Sequence, residues 1–186
     1  DIEQKRKLMQ DELDTQKTQK ERNSMGQFST PFPLALEIMR YMRKFLKTKD
    51  VSFIEPSIGT GVFYSAFLKE FTESTKRVLG FEIDSHYYTP TKKLWKDTPL
   101  ELRQANFLAQ EPDELFDMLV ANPPYVRHHH IDSNEKIQLQ EKVLQKYGIK
   151  ISGLAGLYCY FMILSSVWLN ENGLSCWLVP SEFMDV

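Results

Sequence analysis

Val51-Ser52-Phe53-Ile54-Glu55-Pro56-Ser57-Ile58-Gly59-Thr60-Gly61 is the stretch on which the fold turns. Its first half is β-branched and aromatic, the composition of a short buried strand, and it runs directly into a proline and glycine turn. Beyond that turn, Val62, Phe63, Phe67, Leu68 and Phe71 recur at the three-and-four spacing of one helix face. Strand, glycine turn and helix in this order predict the start of a βαβ unit.

Working outward, Thr30 followed by Pro31 predicts an N-cap with proline in the first turn. Ala35, Ile38, Met39, Met42, Phe45 and Leu46 then share a face of a helix expected to end near Lys49. Downstream, 77–82 reads as a second strand ending in Glu82, and 85–95 as a weaker helix interrupted by Pro90. Residues 100–103 and 116–121 read as a third and fourth strand, with Asp117 the polar exception. Asp132 with Glu135 three residues on is a capping-box pattern, opening a helix that reaches Tyr147 and is closed by Gly148. A second, more buried helix is expected over 153–170, ended by Gly173, and an apolar strand over 174–179, closed by Pro180. Strands separated by helices predict an α/β fold: a doubly wound, mostly parallel sheet with helices on both faces. Residues 1–24 are rich in Lys, Glu, Asp and Gln, which predicts an exposed helical arm or linker ahead of one domain over 25–186.

With 186 residues, 42% hydrophobic and 26% charged, the chain has the composition of an ordinary globular domain. Its net charge of -2 provides no global attraction to nucleic acid, so any such contact must come from a local patch or from chain outside this sequence. Cys159 and Cys176 have no metal-ligand spacing, and two thiols form no disulfide framework, which fits a reducing cytoplasm. The longest apolar run, 158–169, is shorter than the roughly 20 residues that span a bilayer, so neither secretion nor membrane insertion is expected. The chain lacks an initiator methionine and stops just after an apolar strand, so it is expected to be a piece of a longer protein.

In an open parallel sheet, ligands bind beyond the carboxyl ends of the strands. At the end of the first strand, Gly59 and Gly61 allow backbone to approach a ligand at a helix start, although a simple strand-to-helix turn would also use them. Glu82 lies about twenty residues after that turn, the separation at which an acid can accept both hydroxyls of an adenosine ribose. The third spaced glycine of a dinucleotide fingerprint is missing, and Glu55 would repel a pyrophosphate. A cationic ligand suits Glu55 better, and S-adenosylmethionine carries a sulfonium and an ammonium. The fourth strand ends in Asn122-Pro123-Pro124-Tyr125. There the Asn oxygen and a backbone carbonyl can accept both hydrogens of an amino group, and Tyr125 offers a stacking face. A merely rigid turn after a strand would use the same residues. Arg127-His128-His129-His130 has no partner ligands at metal-site spacing, leaving a solvated loop or a phosphate contact through Arg127, and no metal is expected.

Taken together these segments resemble the N6-adenine DNA methyltransferases, over residues 24–184. Gly26-Gln27-Phe28-Ser29-Thr30-Pro31 resembles the family's motif X, 55–61 its motif I, and Gly80-Phe81-Glu82-Ile83-Asp84 its motif II. Ala105-Asn106-Phe107-Leu108 sits at the place of motif III, with Asn106 where the family usually has Asp. Asn122-Pro123-Pro124-Tyr125 matches motif IV, Gly156-Leu157-Tyr158 with Phe161 resembles motif V, and 174–183 motif VI. The resemblance implies Thr30, Glu55, Pro56, Ser57, Gly59, Gly61, Glu82, Asn106 and Phe107 around S-adenosylmethionine, with Thr30 at its methionine end and Phe107 against its adenine. It implies Asn122, Pro123, Pro124 and Tyr125 as the catalytic group acting on an adenine flipped out of double-stranded DNA. It further implies a target recognition domain beyond this chain and, as partners, a restriction endonuclease or specificity subunit. Two other readings stay open: a protein-glutamine methyltransferase, which shares the Asn-Pro-Pro-Tyr motif, and a non-catalytic cofactor-binding scaffold.

Overall fold

A computed structural model describes residues 1–181. Five strands form one sheet in the order β3-β2-β1-β4-β5, every neighbouring pair parallel. They are β1 (Val51–Glu55), β2 (Thr75–Glu82), β3 (Leu100–Gln104), β4 (Phe116–Ala121) and β5 (Leu169–Trp177). The chain winds outward from β1 to β3, then returns to place β4 on the other side of β1. The reversal opens a crevice between the carboxyl ends of β1 and β4, the place where such sheets bind ligands.

Side chains alternate along the buried strands and divide the core in two. Phe53, Val78, Met118 and Val120 face α3 (Phe32–Arg43) and α4 (Val62–Glu70). Ile54, Leu79, Leu119 and Ala121 face α6 (Ser133–Tyr147) and α7 (Leu157–Leu164). Buried on both sides, β1 and β4 read as nearly continuous apolar runs, as parallel strands must. Asp117 is satisfied rather than exposed: its carboxylate accepts from the Ser52 amide and hydroxyl, both at 2.8 Å, and from Asn170 Nδ2 at 2.7 Å. Burial pushes this carboxyl up, but those hydrogen bonds outweigh it and hold it below its ordinary value. The result is a polar clasp across β1, β4 and β5 at the end of the sheet away from the crevice.

Several boundaries depart from the sequence expectation. Pro31, not Thr30, caps α3, because the Thr30 hydroxyl is engaged by Asn122 and the helix starts one residue later. That helix stops at Arg43 rather than near Lys49, leaving Phe45 53% exposed against Tyr41 instead of on the buried face. α5 (Ser85–Leu94) runs through Pro90 without a break, anchored by buried Tyr87 and Thr91. The helix expected over 153–170 is shorter: α7 gives way to a 3-10 turn over Ser165–Trp168, and Asn170 and Gly173 belong to β5. The pairing of β4 with β5 slips between Phe116 and Met118, so 170–173 bulge out of register, which periodicity does not reveal. Asp132 does cap α6, accepting from the Asn134 and Glu135 amides. Of the stretch expected to resemble motif VI, 182–183 lie outside the described residues.

The largest departure is at the amino end. Residues 1–24 form α1 (Ile2–Thr15) and α2 (Gln19–Ser24), as composition suggested, but α1 is docked rather than solvated. Arg6 and Leu13 are buried, His86 Nε2 lies 3.0 Å from the Leu13 carbonyl, and the Tyr87 hydroxyl donates to Asp14 at 3.0 Å. Lys17 pairs with Asp84. The anchoring residues of α1, at positions 6, 10, 13 and 14, share one helix face, and Lys17 follows just beyond its end. Most of them are polar, so a search for apolar periodicity passes over them.

Candidate active site

A cavity of about 300 Å³ occupies the crevice at the carboxyl ends of the strands. The turn after β1 forms its floor, held from several directions. The Ile58 amide donates to the Phe81 carbonyl, the Gly59 amide to Glu82 Oε2 at 3.0 Å, and the Thr91 hydroxyl and Trp95 indole to the Gly59 and Thr60 carbonyls at 2.9 and 3.0 Å. Gly61 adopts a positive φ of 86° and a Cβ there would sit 2.8 Å from Trp95 Nε1. It is therefore required by the packing of the start of α4 against Trp95, and it does not line the cavity.

Two acids differ in how they are paid off by their surroundings. Glu82 is 8% exposed; its Oε1 accepts from the Asp84 amide at 2.8 Å and its Oε2 from Gly59. Burial pushes its carboxyl up, and the two amides partly oppose this. Glu55 is 1% exposed, and its Oε2 has no hydrogen-bond partner among the described residues. Burial drives its carboxyl well above the ordinary range, against the Tyr64 amide and the more distant Arg6. A buried carboxyl oxygen without a donor, on a side chain that lines a cavity, suits a cationic or hydrogen-bond-donating ligand.

The opposite wall is apolar. Phe107, 3% exposed, lies between Phe81, Phe161 and Trp168, with ring centroids 5.4, 5.9 and 5.2 Å away, and both Phe81 and Phe161 also line the cavity. Asn106 lines it too, but its Oδ1 already accepts from the Leu108 amide at 3.1 Å, capping a short 3-10 turn. That turn claims one lone pair of the only acceptor on the Asn106 side chain.

The segment 26–30 and the loop after β4 are interlocked at the mouth. Asn122 Nδ2 donates to the Phe28 carbonyl at 2.8 Å and to Thr30 Oγ1 at 3.0 Å. A carbonyl can only accept, so the amide nitrogen must face Phe28, and the Oδ1 atom is left as the free acceptor of that side chain. The Asn122 carbonyl accepts from the Ser57 hydroxyl at 3.1 Å, which ties the loop after β4 to the glycine turn. The Tyr125 amide donates to the Gly26 carbonyl at 3.1 Å, and the Tyr125 ring stacks on Phe28 at 5.6 Å.

Thr30, Glu55, Pro56, Ser57, Gly59, Glu82, Asn106, Phe107, Asn122 and Pro124 thus line one cavity, although up to 92 positions separate them in hydrogen-bonded pairs. Pro123 is buried behind it, and Tyr125 stands beside it at Phe28. Sequence reasoning missed Arg6, Gln10 and Asp14 of α1, Glu135 of α6, and Gly26. For Gly26 the signal was present, since it opens the segment that resembles motif X, but the glycine itself was given no role in the site. His128, His129 and His130 form a short 3-10 turn, and among the described residues no cluster of His, Cys, Asp and Glu is placed to hold a metal. No helix among the described residues is long and apolar enough to cross a membrane.

Residues 13–185 match the profile of the Eco57I restriction-modification methylases. The chain belongs to the Eco57I restriction-modification methylase family. Among its relatives are the type II methyltransferases M.AccI of Acinetobacter calcoaceticus, 28% identical over 88% of this chain, and M.TthHB8I of Thermus thermophilus, 30% identical over 87%. The chain spans 29% and 36% of those two proteins. Its fold is that of S-adenosylmethionine-dependent methyltransferases. The type IIG restriction endonuclease BpuSI superposes with a TM-score of 0.69 at 16% identity, covering 84% of this chain and 20% of BpuSI. A Listeria monocytogenes protein provisionally assigned as a class I S-adenosylmethionine-dependent methyltransferase superposes at 0.67 with 15% identity, covering 84% of this chain and 48% of that one. In this Eco57I-family chain the cavity at the β1/β4 reversal is therefore the place to look for chemistry.

Proposed function

We propose that this protein transfers a methyl group from S-adenosylmethionine to the N6 amino group of an adenine in double-stranded DNA, within a cytoplasmic restriction-modification or phage-defence system. The observation that carries the reading is the fixed Asn122 carboxamide: both of its N–H groups are consumed by Phe28 and Thr30, so its oxygen is presented as an acceptor at the cavity wall.

The residues present fit the cofactor. The unpartnered Glu55 oxygen suits an ammonium, Glu82 retains lone pairs for ribose hydroxyls, and Phe107 with Phe161 makes an apolar slot for a purine. When bound, S-adenosylmethionine supplies an electrophilic methyl on a sulfonium. The protein's own part is positional. Asn122 Oδ1 accepts from the amino group that is to be methylated, and so favours a more pyramidal nitrogen with its lone pair available. Tyr125, half-buried and backed by Phe28, offers its ring to a base turned out of the duplex. Near-neutral charge gives these residues little pull on DNA, so target reading is assigned to a separate domain, for which the relatives' additional length leaves room. A restriction endonuclease or specificity subunit is the expected partner.

A glutamine side chain would also fit the Asn122 acceptor. The Gly26–Tyr125 and Phe28–Asn122 contacts favour DNA, because they give a working role to the 26–31 segment that protein-glutamine methyltransferases typically lack. The test is Asn122→Ala in the full-length protein, with N6-methyladenine measured by mass spectrometry of plasmid nucleosides. Turnover should fall about a hundredfold or more with cofactor affinity little changed. Normal turnover, or methyl appearing only on protein, overturns the proposal.

A further inference from the structure

Arg6 is a residue that a solvated arm would not need. Its side chain is 4% exposed, yet it lies on the amino-terminal helix and lines the cavity. Its Nε and one terminal nitrogen grip both oxygens of Glu3 at 2.8 and 2.7 Å, and the other terminal nitrogen donates to the Thr60 hydroxyl at 2.8 Å. That hydroxyl in turn donates to Gln10 Oε1 at 2.5 Å, so α1 is keyed into the glycine turn by polar contacts. One N–H on each terminal nitrogen of Arg6 remains for another acceptor.

The charge pattern of the cavity is one-sided. Glu55 and Glu82 are buried in it, and Asp14 and Glu135 also line it, while Arg6 is the sole Lys or Arg among its described lining residues. Arg6 is near enough to Glu55 to act on it electrostatically, but no ion pair joins the two among the described residues. A buried cation and a buried acid that share a pocket without pairing leave room between them for a ligand carrying both opposite charges. An α-amino acid end, with ammonium and carboxylate on one carbon, has that polarity. A guanidinium fork also matches a carboxylate better than an ammonium side chain does.

We propose that α1 is a wall of the cofactor site and that Arg6 takes the carboxylate of the amino-acid end of S-adenosylmethionine while Glu55 takes its ammonium. This rests on the cofactor reading above. Glu3 holds the fork in place when the ligand is absent and competes mildly with it.

The test is calorimetric titration of the chain with S-adenosylmethionine and with decarboxylated S-adenosylmethionine, which keeps every group except the carboxylate. The wild type should prefer the complete cofactor, and Arg6→Gln should weaken that ligand about tenfold or more while leaving the decarboxylated one nearly unchanged. Glu3→Gln should widen the preference, because it frees the fork, and this variant decides the matter if Arg6→Gln does not fold. Equal weakening of both ligands by Arg6→Gln would reduce Arg6 to a structural pin and overturn the proposal. A wild type without preference, or an unaltered preference in both variants, would overturn it as well. A wild type that binds neither ligand would refute the cofactor reading itself, a separate failure.

Discussion

Gly26→Ala should damage the site from a position that carries no functional group. Gly26 is buried with φ of +62°, and a Cβ there would lie 2.3 Å from the Tyr125 nitrogen, 2.7 Å from the Tyr125 carbonyl carbon and 2.9 Å from the Pro124 carbonyl carbon. All three contacts are backbone, so no side chain can swing away. Holding alanine in the left-handed region costs about 1 kcal/mol, and forcing packed backbone apart about 2 kcal/mol more. Opening the gap also breaks the Tyr125-to-Gly26 hydrogen bond, worth about 1 kcal/mol. The sum, about 4 kcal/mol, corresponds to a fall in melting temperature on the order of 10 °C for a chain of this size. If the chain instead relieves the clash by lifting 26–30 away, Phe28 and Thr30 release Asn122, and cofactor affinity falls in place of stability. Differential scanning calorimetry and cofactor titration on the same sample cover both routes. A variant that melts with the wild type and binds equally well would refute the reasoning.

Two further substitutions separate the site from the scaffold. Burial raises the Glu55 carboxyl above its ordinary value, so in the ligand-free protein its contribution is most favourable at low pH, where it is protonated in both states, and declines as pH rises above about 4.5 toward the folded-state value. Glu55→Gln should therefore melt at or above the wild-type temperature at neutral pH, with the gain shrinking toward acid, yet bind S-adenosylmethionine at least about tenfold more weakly. Lower stability at neutral pH combined with undiminished binding would contradict this. Asp117 has the opposite sign: its carboxyl is held low, so its contribution is present above about 3.8 and lost as pH falls through the folded-state value. Asp117→Asn should cost about 2 kcal/mol and lower the melting temperature by about 4–8 °C without altering cofactor affinity, because the clasp lies at the far end of the sheet. Impaired cofactor binding in this variant, measured below its melting transition, would show that the two ends are coupled.

Much of the architecture was legible in the sequence because its signals are local. β1 and β4 are short apolar runs bounded by turns, and the strand boundaries expected at 51–55 and 116–121 are the observed ones. α6 opens at Asp132 and closes at Gly148, since each cap is made by one residue acting on its neighbours. Expectations failed where a distant partner competed for a group. Thr30 was free to cap α3 until Asn122, 92 positions away, claimed its hydroxyl.

By itself the sequence determined the alternation of strands and helices, the residues at the strand ends, and the family those residues resemble. Each follows from chemistry within a few positions along the chain. Only the tertiary structure decided that α1 lines the cavity, that Gly26 must lack a side chain, and that Asn122 presents oxygen rather than nitrogen. These depend on polar contacts between segments far apart in the chain, and a hydrogen bond has no periodicity to betray it: its donor and acceptor become partners only when the fold brings them within about 3 Å.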